Sequence, residues 1–444
     1  MAGQSQHSSR REFLKLSGTA LAGTALATNF SIARSAHAEG NDRIQIGLIG
    51  CGRRGSGAAM NCFRADKNIK LVAVADAFAD NAQSGLKQMR KRYASQIDVP
   101  DERVFVGFGA YKKVLAAGID LVLIATPPGF RPIHYQAAID AGKHVFMEKP
   151  CCVDAPGYRS LVETSKQADT KGLKVGVGLQ RHHETHYQDI VQRIHDGEIG
   201  EIPFMRVYWN SDGVWNLPRT PELTEMEYQM RNWYYFVWLS GDHIVEQHIH
   251  NIDIGNWVKQ GHPIEAQGTG GREVRRFGPN GDFGHIFDHH TVEFTYADGT
   301  KMFSQCRHIP ACWRNVSEHI HGTKGIAQCD GRIYALRGLD GKTIYRSRKK
   351  NRPYDQEHVD LIDAIRNNKP YNEGYRGAEA SFTAILGRMA SYSGNIVRWD
   401  EAAVGGPSEM PAKFSWDANP PVMPDENGSY EHAVPIPGRY KAYS

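Results

Sequence analysis

The chain has 444 residues, 41% hydrophobic and 23% charged, the balance of an ordinary soluble globular enzyme. Its formal charge of +4 sits largely in the first 38 residues, where Arg10, Arg11, Lys15 and Arg34 face one acid, Glu12. The rest is close to neutral, which argues against nucleic acid or an anionic membrane as partner; no run of about eighteen apolar residues follows Ala38, so no transmembrane helix is expected.

Ser9-Arg10-Arg11-Glu12-Phe13-Leu14-Lys15 reads as a twin-arginine export address. Leu16 to Ile32 is rich in Ala, Gly, Thr and Leu and only weakly apolar, and Ala36-His37-Ala38 supplies a small-x-small cleavage pattern. Residues 1–38 are therefore excluded from the fold, and a periplasmic destination by the Tat route is expected. That route carries folded proteins, which suits an enzyme that captures its cofactor before export. The roughly 400 residues that remain suggest two domains, or three at most.

Strand and helix then alternate. Ile44–Ile49, Leu71–Ala75, Val104–Phe108, Leu121–Ala125 and Lys143–Met147 are short apolar runs, with helical segments such as Asn81–Ser95 and His134–Ala141 between them. The pattern predicts a parallel, doubly wound α/β sheet. Gly50-Cys51-Gly52-Arg53-Arg54-Gly55 follows the first strand and opens a helix. Gly50 permits the tight turn, Gly52 lets backbone approach a pyrophosphate, and Gly55 lets helix and strand pack closely. Asp76 ends the second strand, where a carboxylate binds ribose hydroxyls and repels a 2′-phosphate. The expected cofactor is NAD; Arg53 and Arg54 leave NADP open. Thr126 and Pro127, at the end of the fourth strand, should border the nicotinamide ribose, since ligands of open α/β sheets lie beyond the carboxyl ends of the strands. His134 reads equally as a cofactor contact or a surface histidine. Glu148-Lys149-Pro150 ends the next strand and points into the same crevice, where Lys149 can polarise a substrate hydroxyl.

Leu173–Gly178 is one further strand, placed at the domain hinge, and Gln180-Arg181 follows as a neighbour of cofactor or substrate. From about residue 198 strand follows strand: Ile202–Trp209, Ile264–Arg275, Asp288–Tyr296, Lys301–His308 and Val316–His321 predict an α+β domain on an open, mostly antiparallel sheet. His358–Arg366 and Gly377–Ser393 return to helix. The expected division is a dinucleotide-binding domain over 39–175, a substrate and oligomerisation domain over 176–401, and a proline-rich arm over 402–444 that lies on the surface or on a neighbouring subunit.

The glycine fingerprint, Asp76, Ala125-Thr126-Pro127-Pro128, Gly142-Lys143-His144-Val145 running into Glu148-Lys149-Pro150, and His250 together resemble the Gfo/Idh/MocA oxidoreductases, the glucose–fructose oxidoreductase and inositol dehydrogenase group. The resemblance extends to about Glu401. It implies a Rossmann domain, an open-sheet C-terminal domain, NAD(P), oxidation of sugar or cyclitol hydroxyls, and a sheet-mediated homodimer or homotetramer. Aligning His250 with the family histidine puts Glu246 where an aspartate is usual, and His248 where glycine is frequent. The resemblance thus implies His250 as general base, Glu246 as its orienting acid and Lys149 as the group on the reacting oxygen.

Lys149, His250 and Glu246 are accordingly the expected catalytic set. Gly50, Gly52, Arg53, Arg54, Gly55, Asp76, Thr126, Pro127, His134, Glu148, Lys149 and Gln180 are the expected cofactor contacts. His182, His183, His186, His243, His248, His250, His289 and His290 invite a metal, but His183-Glu184-Thr185-His186 lacks the zincin spacing and no metal is assigned. The aromatic run Tyr208, Trp209, Trp215, Trp233, Tyr234, Tyr235, Trp238 reads mainly as packing with some sugar-stacking potential, and Arg231 and Asn232 as candidate substrate contacts. Seven cysteines without Cys-x-x-Cys do not form a disulfide scaffold. The expected activity is hydride transfer between a carbohydrate secondary hydroxyl and a tightly bound nicotinamide; redox-neutral glycoside cleavage through a transient keto-sugar is the alternative.

Overall fold

The computed structural model describes residues 43–275 and 283–443. The proposed export signal, residues 1–38, lies outside them. Arg43 onward is one compact unit. Among the described residues its first sheet has six parallel strands in the order β3-β2-β1-β4-β5-β6. They are β1 (Ile44–Ile49), β2 (Ile69–Asp76), β3 (Val104–Val106), β4 (Leu121–Ile124), β5 (His144–Met147) and β6 (Val175–Val177). The apolar runs are buried on both faces because helices cover both sides, so every residue of β4 is inaccessible. Chain order reverses between β1 and β4, the place where such sheets open a crevice at their carboxyl ends.

The second sheet has the order β14-β13-β12-β11-β7-β10-β9-β8-β15. Its strands are β7 (Phe204–Ser211), β8 (Glu265–Gly271), β9 (His289–Thr295), β10 (Lys301–His308), β11 (Asn315–His321), β12 (Gly325–Cys329), β13 (Tyr334–Gly338), β14 (Thr343–Arg346) and β15 (Val397–Arg398). It is antiparallel except for the central β7–β10 pair. Alternation is clean along β10, where Met302, Ser304, Cys306 and His308 are buried. The inner face carries the helices Ile249–Lys259 and Gly374–Ser393. The outer face presents Phe204, Arg206, Tyr208, Phe303, His319 and His321.

Two sequence expectations change. The strand expected over 264–275 stops at Gly271, because Glu273, Val274 and Arg275 turn their N–H groups onto one carboxylate oxygen of Asp288. The proline-rich segment folds back over its own chain. Glu409 accepts from the buried Arg388 at 3.0 Å, its N–H donates to Asp154 at 2.9 Å, and Tyr430 is buried against Phe236. None of the seven cysteines, all in described residues, is bridged.

Candidate active site

The turn after β1 shows why each glycine stands where it does. Gly50 has φ of +94°, and a Cβ there would lie 2.7 Å from the Ala125 carbonyl carbon. A Cβ on Gly55 would sit 1.8 Å from the Gly50 carbonyl oxygen, so helix and strand could not close. A Cβ on Gly52 would meet nothing within 4 Å; there the side chain is missing in favour of open space. The helix Arg53–Ala65 starts at Gly52 with no side-chain cap, leaving its first-turn N–H groups to an anion.

Asp76 closes one end of this crevice. Its carboxylate accepts the Cys51 N–H at 2.7 Å, the Phe78 N–H at 3.0 Å and Asn81 Nδ2 at 3.3 Å. Burial raises its pKa, against those hydrogen bonds. Phe78, Phe108, Phe130 and Met230 wall the space beside it. Neither Arg53 nor Arg54 lines that end; both line the Lys149 end. Arg54 donates through Nε to Glu148 at 2.5 Å, reaches Glu357 at 3.4 Å and lies over the Tyr354 ring. The two arginines therefore do not offset the Asp76 charge, and the residues fit NAD better than NADP. Glu148, expected to touch the cofactor, lines the Lys149 end of the crevice and holds Arg54 beside Gly178.

Thr126 and Pro127 line both ends of the crevice. His134 is neither exposed nor titratable near neutrality. It is buried between Tyr111 and Phe130, shares a hydrogen bond with Thr126 Oγ1 at 3.2 Å, and its pKa is pushed down to about 3 by burial and by Arg131.

Beyond Thr126 the crevice widens into a cavity of about 850 Å³ that brings Lys149, Gln180, Glu246 and His250 together. Lys149 Nζ donates to Glu246 twice, to the backbone oxygen at 2.5 Å and to Oε1 at 3.0 Å. An ammonium has three protons, so one is left for a ligand. This overturns the expected geometry of the acid. Glu246 ends the short helix His243–Glu246, the chain breaks at Gln247 and His248, and His250 belongs to the next helix, Ile249–Lys259. Both still line the one cavity, but the hydrogen bonds of Glu246 go to Lys149 rather than to the imidazole.

His250 is buried, stacks on Trp209 with ring centroids 5.8 Å apart, and has no hydrogen-bond partner at Nδ1 among the described residues. Burial, then Lys149, Arg181 and Arg54, hold its pKa well below the ordinary value of 6.5. It is a neutral imidazole at working pH, not one poised near its midpoint. Gln180 Oε1 is likewise buried without a partner among the described residues. Both residues line the one cavity.

Sequence reasoning placed Arg181 beside the site but missed the partners that hold it there. Arg181 donates to the His250 carbonyl at 3.0 Å and pairs with the buried Glu318, which also takes Asn251 and, at 2.9 Å, the Tyr187 hydroxyl. Arg131, fully desolvated, donates to the Pro150 carbonyl and lines the cavity; its position just beyond the β4 loop was the available signal. Tyr354 and Gln247 also line it.

Other expected contacts lie elsewhere. Arg231 pairs with Asp80 at 3.1 Å and Asn232 brackets Leu217, so neither faces the cavity. Trp209, Trp215, Trp233 and Tyr234 line it, while Trp238 is a core residue bonded to Gln229. The histidines disperse: His182 bonds Asp253, His183 bonds Asp360, His186 bonds Ser347 and His248 bonds Ser304. Among the described residues only Asp242, His243 and His290 gather as metal ligands might. The Asp242 oxygens already accept from His243, Tyr392 and the Phe287 N–H, with His290 Nε2 3.2 Å away, which leaves little for an ion.

The comparisons agree with this architecture. The family model described as "Oxidoreductase family, NAD-binding Rossmann fold" matches residues 44–179, and that of the "GFO/IDH/MocA C-terminal domain" matches 187–328. An inositol 2-dehydrogenase of Serratia proteamaculans is 27% identical over 80% of this chain and 96% of its own. The scyllo-inositol dehydrogenase of Lactobacillus casei, solved with NAD(H) and scyllo-inositol, aligns over 80% of this chain and 99% of its own, at 21% identity and a TM-score of 0.59. An aldose–aldose oxidoreductase of Caulobacter crescentus covers the same share of this chain and all of its own, at 15% identity and 0.61.

Proposed function

The chain belongs to the GFO/IDH/MocA oxidoreductase family, with its NAD-binding Rossmann domain, and on that footing we propose that it moves hydride between a secondary hydroxyl of a sugar or cyclitol and a tightly held NAD. The observation that carries this reading is the convergence of Lys149, His250 and Gln180 on one cavity continuous with the Gly50–Asp76 crevice. The inositol dehydrogenases among its relatives support the substrate class. Gly52 and the first turn of the Arg53–Ala65 helix hold the pyrophosphate, Asp76 the adenosine ribose and Thr126 the nicotinamide side. When bound, the nicotinamide supplies the hydride acceptor.

The chain's own groups do the rest. The spare N–H of Lys149 donates to the reacting oxygen and favours its alkoxide character. The neutral imidazole of His250 takes the hydroxyl proton. Glu246 keeps the ammonium aimed, and the aromatic walls exclude water.

The test is a panel of sugars, glycosides and myo-inositol added to purified protein, with nicotinamide absorbance and products both followed. Oxidation of a secondary hydroxyl with a matching absorbance change is the expected result. Release of free sugar with no net redox change would assign glycoside cleavage instead.

The same reading has the protein exported through the twin-arginine route, supported by Ser9–Lys15 and the weakly apolar stretch after it. Replacing Arg10 and Arg11 by lysine is expected to leave the precursor in the cytoplasm. An exported enzyme has no free pool of dinucleotide, hence the tight retention. It also has copies pairing through the outer face of the second sheet, where Phe303 is 42% exposed beside Phe204. Light scattering of the purified protein reads that association.

A further inference from the structure

The cavity that holds the reacting groups and part of the dinucleotide lining also has an aromatic wall. Its inner wall is Trp209, stacked on His250. Its outer wall is Trp233, half-buried, and Trp215, 43% exposed. A single exposed aromatic is unremarkable on a protein surface. Trp215 differs because it is fixed against two other rings, 5.6 Å from Trp233 and 5.8 Å from Tyr234, with an indole side left to solvent at the same cavity. An indole offers a flat apolar surface together with an N–H donor. Pyranose rings match it, having one face of C–H groups and a rim of hydroxyls.

We infer that the substrate is a glycoside of at least two rings: one ring reacts beside Lys149 and His250, and the next stacks on Trp215 at the outer wall. This rests on the hydride-transfer reading above and adds the substrate's size and the residue that reads it. A free cyclitol or monosaccharide fills the inner part and leaves Trp215 without an occupant.

The experiment is steady-state kinetics of the full chain, with excess NAD added as hydride acceptor, on glucose, myo-inositol, cellobiose, maltose and lactose. At least one disaccharide is expected to exceed glucose in kcat/KM by tenfold or more. Trp215→Ala should cut that disaccharide-to-glucose ratio about tenfold, chiefly through KM, and Trp215→Phe should restore most of it. Thermal unfolding of the variants checks that the fold is intact. Turnover of glucose or myo-inositol with no disaccharide preference, or a ratio that Trp215→Ala leaves unchanged, overturns the two-ring assignment while the hydride-transfer reading stands. Failure of every sugar to be turned over sinks both.

Discussion

The side chains at the reacting end form a division of labour that their charges explain. Lys149 spends two of its three protons on Glu246, so removing either partner should alter the other's role. Lys149→Ala is expected to lower kcat/KM by about 10²–10⁴-fold, the usual weight of a positioned proton donor. Glu246→Gln, which keeps the shape but drops the charge, should cost about tenfold, within the range of a hydrogen bond to a charged group. His250 carries a pH prediction. Its conjugate acid is disfavoured by burial and by Lys149, Arg181 and Arg54, so it stays neutral as pH falls through 6.5. The acid limb of kcat/KM for the free enzyme is expected well below that value, and a His250-dependent midpoint near 6.5 would contradict the geometry. Much of this site was legible in the chain because its roles are local: Gly50, Gly52, Gly55 and Asp76 act through a strand–turn–helix that sequence spacing encodes. The partner of Glu246 was not legible, because it is a lysine ninety-seven positions away, brought close only by the tertiary fold.

At the scale of elements, strands buried on both faces were found from their continuous apolar runs, whereas β12 to β15 went unread. They are only two to five residues long, and β14 is largely exposed, so hydrophobic pattern carries little signal there. The C-terminal arm was legible only as proline-rich. Its packing depends on distant aromatic partners: Trp416 lies 5.1 Å from Phe78 and 4.5 Å from Phe108, both of which wall the Asp76 end of the crevice. Phe414 stands 5.3 Å from Phe130 on the same wall. The arm thus braces the adenosine end from behind. Trp416→Ala is expected to cost about 1–3 kcal/mol of stability and to speed NAD exchange, measured with labelled nucleotide, about tenfold. An unchanged exchange rate would separate the arm from cofactor retention.

The whole molecule is stitched where its two sheets meet. The helix Pro353–Arg366 returns to the first sheet, where Leu361 packs on Gly176 and Glu357 pairs with Arg54. His183 stands in this seam, 2.6 Å from Asp360 and 3.2 Å from Glu373. Burial lowers its pKa, but the two carboxylates prevail and raise it to about 10. A raised pKa means the folded state holds a proton that the unfolded chain releases near 6.5. Its contribution is therefore complete below about 6.5 and disappears as pH climbs toward 10. Thermal unfolding across pH 6–10 should show this alkaline loss, and His183→Gln should flatten it.

All of these scales converge on a dinucleotide seated between Gly52 and Lys149. The most direct measurement is mass spectrometry of whatever small molecule the purified full chain releases on denaturation, with calorimetric titration of NAD and NADP into stripped protein. The account predicts NAD in near-stoichiometric amount, and tighter binding of NAD than of NADP because of Asp76. Release of no nucleotide, with neither NAD nor NADP bound on titration, would contradict it.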